Sequence, residues 1–304
     1  MSEQINIRTD LALEAKNSIS EDDSGVKGIK VEQERDRDND ITIVRMEVLN
    51  KNGAKKIGKP IGTYITMEVP QLTQDDDNYH REISKALARQ LKNLIYKAYD
   101  WTDKTPKILI AGLGNNNSTP DALGPNVVEN LMITRHIVEY FGYEEVEGAF
   151  AVTSGIIPGV MAQTGMESSE IIQAIVKKTH PDILLVVDAL AARSVSRLNS
   201  TIQISDTGIH PGSGVGNERA AINRKTMGIP VISIGVPTVV DAATLIYDSM
   251  KRVKDDISIG FASDFKQMYV TSKDIDAIIK KISYTISEGI NICMGLSKYT
   301  EITQ

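Results

Sequence analysis

The chain has 304 residues, of which 41% are apolar and 24% charged, with a formal net charge of −6 and a single cysteine, Cys293. Such a chain can bury a sizeable core in one large domain or two modest ones, and it cannot build an intrachain disulfide framework. It also lacks the basic stripe that a sequence-independent grip on nucleic acid requires, so no direct nucleic-acid partner is expected.

Residues 1–10 are polar and have no apolar core, unlike a signal peptide. No apolar run approaches the roughly 20 residues of a membrane span. A reducing, cytoplasmic setting without a membrane partner is therefore expected. Residues 18–40 are rich in charge and poor in large apolar side chains, and 11–40 is expected to be a mobile or loosely ordered arm. Alternating apolar residues predict strands over 41–49 and 61–69, and Asn50-Lys51-Asn52-Gly53 between them carries a hairpin signal. A helix is expected over 75–99, with Ile83, Leu87, Leu91, Leu94 and Ile95 on one stripe.

From Lys107 onward the texture changes. Short apolar runs predict strands over 107–111, 150–153, 183–187, 201–204 and 230–234. Helices are expected over 125–140, 168–178, 238–250 and 272–294. Continuous apolar strands alternating with helices indicate an α/β fold: a mostly parallel or mixed sheet with helices on both faces, plus an amino-terminal hairpin and helix. Residues 41–304 read as one α/β unit, with 41–100 packed on a 107–304 core.

In open α/β sheets, ligands sit beyond the carboxyl ends of the strands. Two aspartates fall there: Asp121, after the first core strand, and Asp188, directly after the run 183–187. Two neighbouring carboxylates cannot both ionise cheaply, so one keeps a proton, and the pair then suits acid–base work on a bound water. The alternative is that each merely caps a helix or pins a loop. Other chemistries lack their motifs. None of His80, His136, His180 and His210 lies in an H-E-x-x-H pattern, and no G-x-S-x-G elbow occurs. Cys293, in a helical pattern, reads as a buried core thiol.

Gly112-Leu113-Gly114 hints at a dinucleotide loop, but Asn117 stands where the third glycine of G-x-G-x-x-G belongs. The stretch from His210 through Gly212, Ser213 and Gly214 to Asn217 could form an anion nest of backbone N–H groups or a tight structural turn. Asp206-Thr207-Gly208 spells the triplet of pepsin-like peptidases, whose all-β fold this chain does not share, and it reads as coincidence.

Together, Asn115 with Thr119-Pro120-Asp121-Ala122-Leu123-Gly124-Pro125, Pro158-Gly159-Val160-Met161, Asp188-Ala189-Leu190-Ala191-Ala192-Arg193, Gly208 to Asn217, and Pro237-Thr238-Val239-Val240-Asp241-Ala242 resemble the spore germination protease family. The resemblance runs from about residue 8 to the end. It implies an aspartic-type endopeptidase of hydrogenase-maturation-peptidase-like fold, without a cofactor, that degrades small acid-soluble spore proteins in the forespore or spore core. It implies Asp121 and Asp188 as the catalytic pair, with Asn115, Arg193, His210, Gly212, Ser213, Gly214, Thr238 and Asp241 in supporting or binding roles. It further implies a homotetramer and a zymogen. Family substrates are cut after an acidic residue and before an aliphatic residue followed by alanine; Asp10-Leu11-Ala12 fits, so residues 1–10 are expected to be a propeptide removed by self-cleavage at Asp10–Leu11. The stretch 253–271 is shorter than in family members. Two alternatives stand beside this: a metal-dependent peptidase of hydrogenase-maturation type with Asp121, Asp188 and His210 as ligands, and a nucleotide-binding module built on Gly112-Leu113-Gly114.

Overall fold

A computed structural model of the chain describes residues 9–17, 28–99, 105–142, 150–212, 219–251, 265 and 268–295. From the amino end, helix α1 (Ala12–Asn17) precedes strands β1 (Ile29–Asp36) and β2 (Ile41–Val48), helix α2 (Lys51–Ile57), strand β3 (Gly62–Glu68) and the long helix α3 (Asp77–Ala98). Next come β4 (Lys107–Gly112), a 3-10 turn (Thr119–Asp121), α4 (Leu123–Glu129), α5 (Arg135–Phe141), β5 (Val152–Ile156), α6 (Met161–Thr164), α7 (Ser168–Thr179) and β6 (Ile183–Ala192). The chain continues through β7 (Thr201–Ser205), α8 (Arg224–Met227), β8 (Val231–Asp241), α9 (Ala242–Lys251), β9 (Tyr269–Val270) and α10 (Ile275–Cys293).

The strands form one nine-stranded sheet in the order β1-β2-β3-β7-β8-β6-β4-β5, with β9 paired to β8. It is mixed. β6 runs parallel to β4 and β8, and β5 parallel to β4, whereas β7 lies antiparallel to both β3 and β8. Strand alternation sorts the core into two layers. Ile183, Leu185 and Val187 face α3, α4 and α10; Leu184 and Val186 face α7 and α8. Ile202 and Ile204 of β7 join the first layer, which puts Gln203 on the opposite face. Cys293 is buried in the first layer, and burial pushes its thiol up to about 12, so it is an inert core group. No helix among the described residues is long and apolar enough to cross a membrane.

Four local expectations change. Asn50 does not start a hairpin turn: its side chain accepts from the Asn52 and Gly53 N–H groups and caps α2, so β2 and β3 pair antiparallel across a helical connection. Within the segment expected to be a loose arm, residues 12–17 are helical and residues 29–36 are a strand. β1 is held by its ladder to β2 while most of its side chains are exposed, so no apolar pattern announced it. The helix expected over 125–140 is two helices. Between them Met132 N–H donates to Asn291 Oδ1 at 3.1 Å and Thr134 N–H to the Thr153 carbonyl at 3.1 Å, contacts that only tertiary packing supplies. Residues 238–241 finish β8 instead of opening a helix, and Asp241 caps α9 by accepting from Thr244 N–H at 2.8 Å.

Candidate active site

β6 does not stop at Val187. Its pairing with β4 ends at Gly112↔Val187, yet the strand continues to Ala192 alongside β8. Asp188 therefore lies inside a strand, 7% exposed, directly where its neighbour on one side gives out. Ala189 N–H donates to Asp188 Oδ1 at 3.0 Å.

Asp121 reaches the same place from the 3-10 turn that follows β4. Asn115 N–H donates to its Oδ2 at 2.8 Å. Thr238 of β8 donates from Oγ1 to the Pro120 carbonyl at 2.6 Å and ties the turn to the sheet. The loop before the turn can press this close only because Gly114 has φ +117 and no side chain: a Cβ there would lie 1.9 Å from the Asp121 carbonyl oxygen. Gly112 is filled likewise by the Gly124 carbonyl, 2.2 Å from a hypothetical Cβ. The chain's own next turn thus packs against Gly112 and Gly114 where a phosphate would approach a dinucleotide loop.

Asp121 and Asp188 share a cavity of about 340 Å³ with Asp10, Ser118, Gly212 and Arg219. Burial pushes Asp188 well above the usual carboxylate range; the charges of Asp121 and then Asp10 raise it further, against the Ala189 N–H and Arg219. Burial also raises Asp121, opposed by the Asn115 N–H and by Arg219.

The amino-terminal segment lies along the same strand end. Asp10 N–H donates to the Ala191 carbonyl at 3.1 Å, and Ala191 N–H donates to Asp10 Oδ2 at 2.9 Å. Leu11, 1% exposed, packs with Leu190, Ala192 and Val240. Ala12 N–H donates to Gln203 Oε1 at 2.6 Å. The buried Glu14 carboxylate accepts from Arg193 N–H at 2.9 Å and Ser194 N–H at 3.0 Å, and also from the Thr9 hydroxyl. The segment enters α1 at Ala12 and lies beside two perturbed carboxylates.

A germination protease family model matches residues 6–258. A germination protease of Clostridium tetani (strain Massachusetts / E88) is 44% identical over 318 residues, covering 95% of this chain and 96% of that protein. Another, from Bacillus cereus (strain G9842), is 45% identical over 245 residues, 81% of this chain and 66% of that protein. The chain belongs to the germination protease family. Membership makes it a peptide-bond hydrolase of spore germination. Among solved structures, a [NiFe] hydrogenase maturation protease, HycI from Thermococcus kodakarensis KOD1, overlaps 67% of this chain and 98% of that one at 16% identity, with a TM-score of 0.35.

In this member of the germination protease family the expected residues divide by location. Asp121, Asp188, Gly212, Thr238 and Asp10 line the cavity. Asn115 supports it through its N–H, while its Oδ1 accepts from Gln163 Nε2 at 3.0 Å. Arg193 contributes its backbone N–H to Glu14. Asp241 is a helix cap and Asp206 pins β3, accepting from Thr63 N–H at 2.7 Å. His210 is exposed and lines a separate small cavity with Lys59 and Gln203, apart from the aspartates. No group of three or more His, Cys, Asp or Glu side chains able to hold a metal occurs among the described residues. Ser213 and Gly214, like residues 1–8, lie outside the described residues.

Sequence reasoning missed Lys59, Gln203 and Arg219. Lys59 stands between glycines and prolines and reads as a surface lysine. Gln203 carried a signal: a polar residue in the middle of Thr201–Ser205, whose other side chains are buried.

Proposed function

We propose that this chain is an aspartic-type endopeptidase, made as a zymogen, that cuts its own Asp10–Leu11 bond and then small acid-soluble spore proteins, with Asp121 and Asp188 as the working pair. The observation that carries this reading is the presence of the buried Asp188, the half-buried Asp121 and Asp10 of the chain's own candidate bond in one cavity.

Asp188, the more enclosed and the more strongly raised, is assigned the protonated role. Asp121, supported by the Asn115 N–H and Arg219, is the ionised partner and takes a proton from the attacking water. Leu11, Ala12 and Glu14 fill the track beyond the bond, in keeping with substrates cut before an aliphatic residue and alanine. Residues 1–10 are the propeptide, and the rest of the chain is one peptidase domain, to whose sheet β1 (Ile29–Asp36) belongs. The working form is a homotetramer in the cytoplasm of the forespore or in the spore core.

Incubating the processed chain with a purified small acid-soluble spore protein tests the substrate class. Fragments beginning at an aliphatic residue followed by alanine, after an acidic one, are expected. An intact substrate beside an enzyme that has processed itself would overturn the assignment.

A further inference from the structure

We propose that Lys59 and Gln203 form the carbonyl-oxygen pocket of the reaction and grip the peptide bond that the aspartate pair hydrolyses. The proposal rests on reading Asp10–Leu11 as the processed bond.

Two donors from different elements converge on one oxygen. Lys59, between α2 and β3, donates from Nζ to the Asp10 carbonyl at 3.0 Å and to the Thr9 carbonyl at 3.4 Å. Gln203 of β7 donates from Nε2 to the same Asp10 carbonyl at 3.2 Å. The other end of that carboxamide accepts from Ala12 N–H at 2.6 Å. One glutamine side chain thus meets the acceptor before Leu11 and the donor after it, as an adjacent strand would. Leu11 N–H, on the nitrogen that must leave, donates to Thr9 Oγ1 at 3.1 Å.

The sheet places this grip opposite the acids. Gln203 and Asp188 are both in register with Gly235, so they lie in one row across β7, β8 and β6 and on the same face. Strands are spaced about 4.8 Å apart, so the two Cα atoms stand roughly 10 Å from each other. Gly235, between them, has no side chain, and a Cβ there would meet Leu190 Cδ1 at 2.5 Å. Asp10 lines both the small cavity holding Lys59 and Gln203 and the larger one holding the aspartates.

The chemistry uses each group once. The water oxygen bonds to the Asp10 carbonyl carbon, and its proton passes to the ionised carboxylate. The carbonyl oxygen takes up negative charge against Lys59 Nζ and Gln203 Nε2, where prepositioned donors act most strongly. The bond to the Leu11 nitrogen then breaks as the protonated carboxyl gives that nitrogen its proton. The products are a carboxyl at Asp10 and an amine at Leu11. Burial weakens the solvation of the Lys59 ammonium, while Asp10 and Glu14 favour its charge.

Self-processing of the full chain tests this, with hydrogen exchange at the Ala12 amide reporting whether the segment stays docked. Lys59→Met should slow processing at least about a hundredfold with the Ala12 amide still protected, and Lys59→Arg should recover part of the rate. Gln203→Glu, which keeps the acceptor for Ala12 and removes the donor to Asp10, should be slow in the same way. Processing of Lys59→Met and Gln203→Glu at the unaltered rate would overturn the proposal, as would a loss no larger than the loss of Ala12 protection. Asp188→Asn run in parallel separates the two readings: if it is inactive while Lys59→Met is fully active, only the carbonyl pocket fails; if it processes normally, the aspartate reading fails.

Discussion

Asp10 and Ala191 bond to each other twice, Asp10 N–H to the Ala191 carbonyl at 3.1 Å and Ala191 N–H to the Asp10 carboxylate at 2.9 Å. The acidic side chain is therefore read by backbone, at the strand end that carries Asp188. A charge-assisted bond of this kind contributes about 1.5–3 kcal/mol. Asp10→Ala should slow self-processing by roughly tenfold or more, followed by mass spectrometry over time, whereas Asp10→Glu should keep most of the rate. Equal rates for all three would show that the side chain is not recognised.

Glu14 is held by the Arg193 and Ser194 N–H groups in a buried setting. Glu14→Ala leaves both donors without their carboxylate. Hydrogen exchange at Arg193 and Ser194 should accelerate, and processing should slow as the track loosens. Unchanged exchange at both amides would remove Glu14 from the account.

Asp188 sets a pH dependence whose sign is fixed. Its carboxyl is raised in the fold above the ordinary 3.8, so its contribution to stability is fully present below that value and is lost as pH rises through the folded one. At neutral pH the buried group opposes folding. Asp188→Asn should then melt several degrees higher than the parent at pH 7, and the gain should shrink as the pH falls toward 4. A variant that melts lower at pH 7 would contradict the raised carboxyl.

Gly114 allows the loop after β4 to touch Asp121. Gly114→Ala adds a Cβ 1.9 Å from the Asp121 carbonyl oxygen in a backbone conformation with φ +117. A loss of about 2 kcal/mol or more is expected from the urea midpoint, with processing impaired further because Asp121 moves. A neutral midpoint with normal processing would show that the loop yields without disturbing the acid.

The α/β class, and the placing of Asp121 and Asp188 at one sheet edge, were legible because they rest on local signals. The run Ile183–Val187 is apolar whatever surrounds it, and a carboxylate straight after it is conspicuous. Less legible was the extension of β6 to Ala192, which depends on pairing with β8 and not on its own pattern. β1 was invisible because ladder hydrogen bonds, not burial, hold it. Asp10 and Leu11 were found only through a family's cleavage preference; that the segment docks beside Asp188 is a long-range fact with no local cue. Lys59 was missed because nothing in Gly58-Lys59-Pro60 announces that an ammonium will lie against a backbone carbonyl of residue 10.

The most direct measurement is the amino-terminal sequence of the purified chain after incubation at mildly acidic pH, where one carboxyl of the pair is protonated, beside Asp121→Asn and Asp188→Asn. The account predicts a new start at Leu11 for the parent and none for either variant, with both variants still folded by melting. A start at Leu11 in either variant at the parent's rate would contradict the aspartate pair.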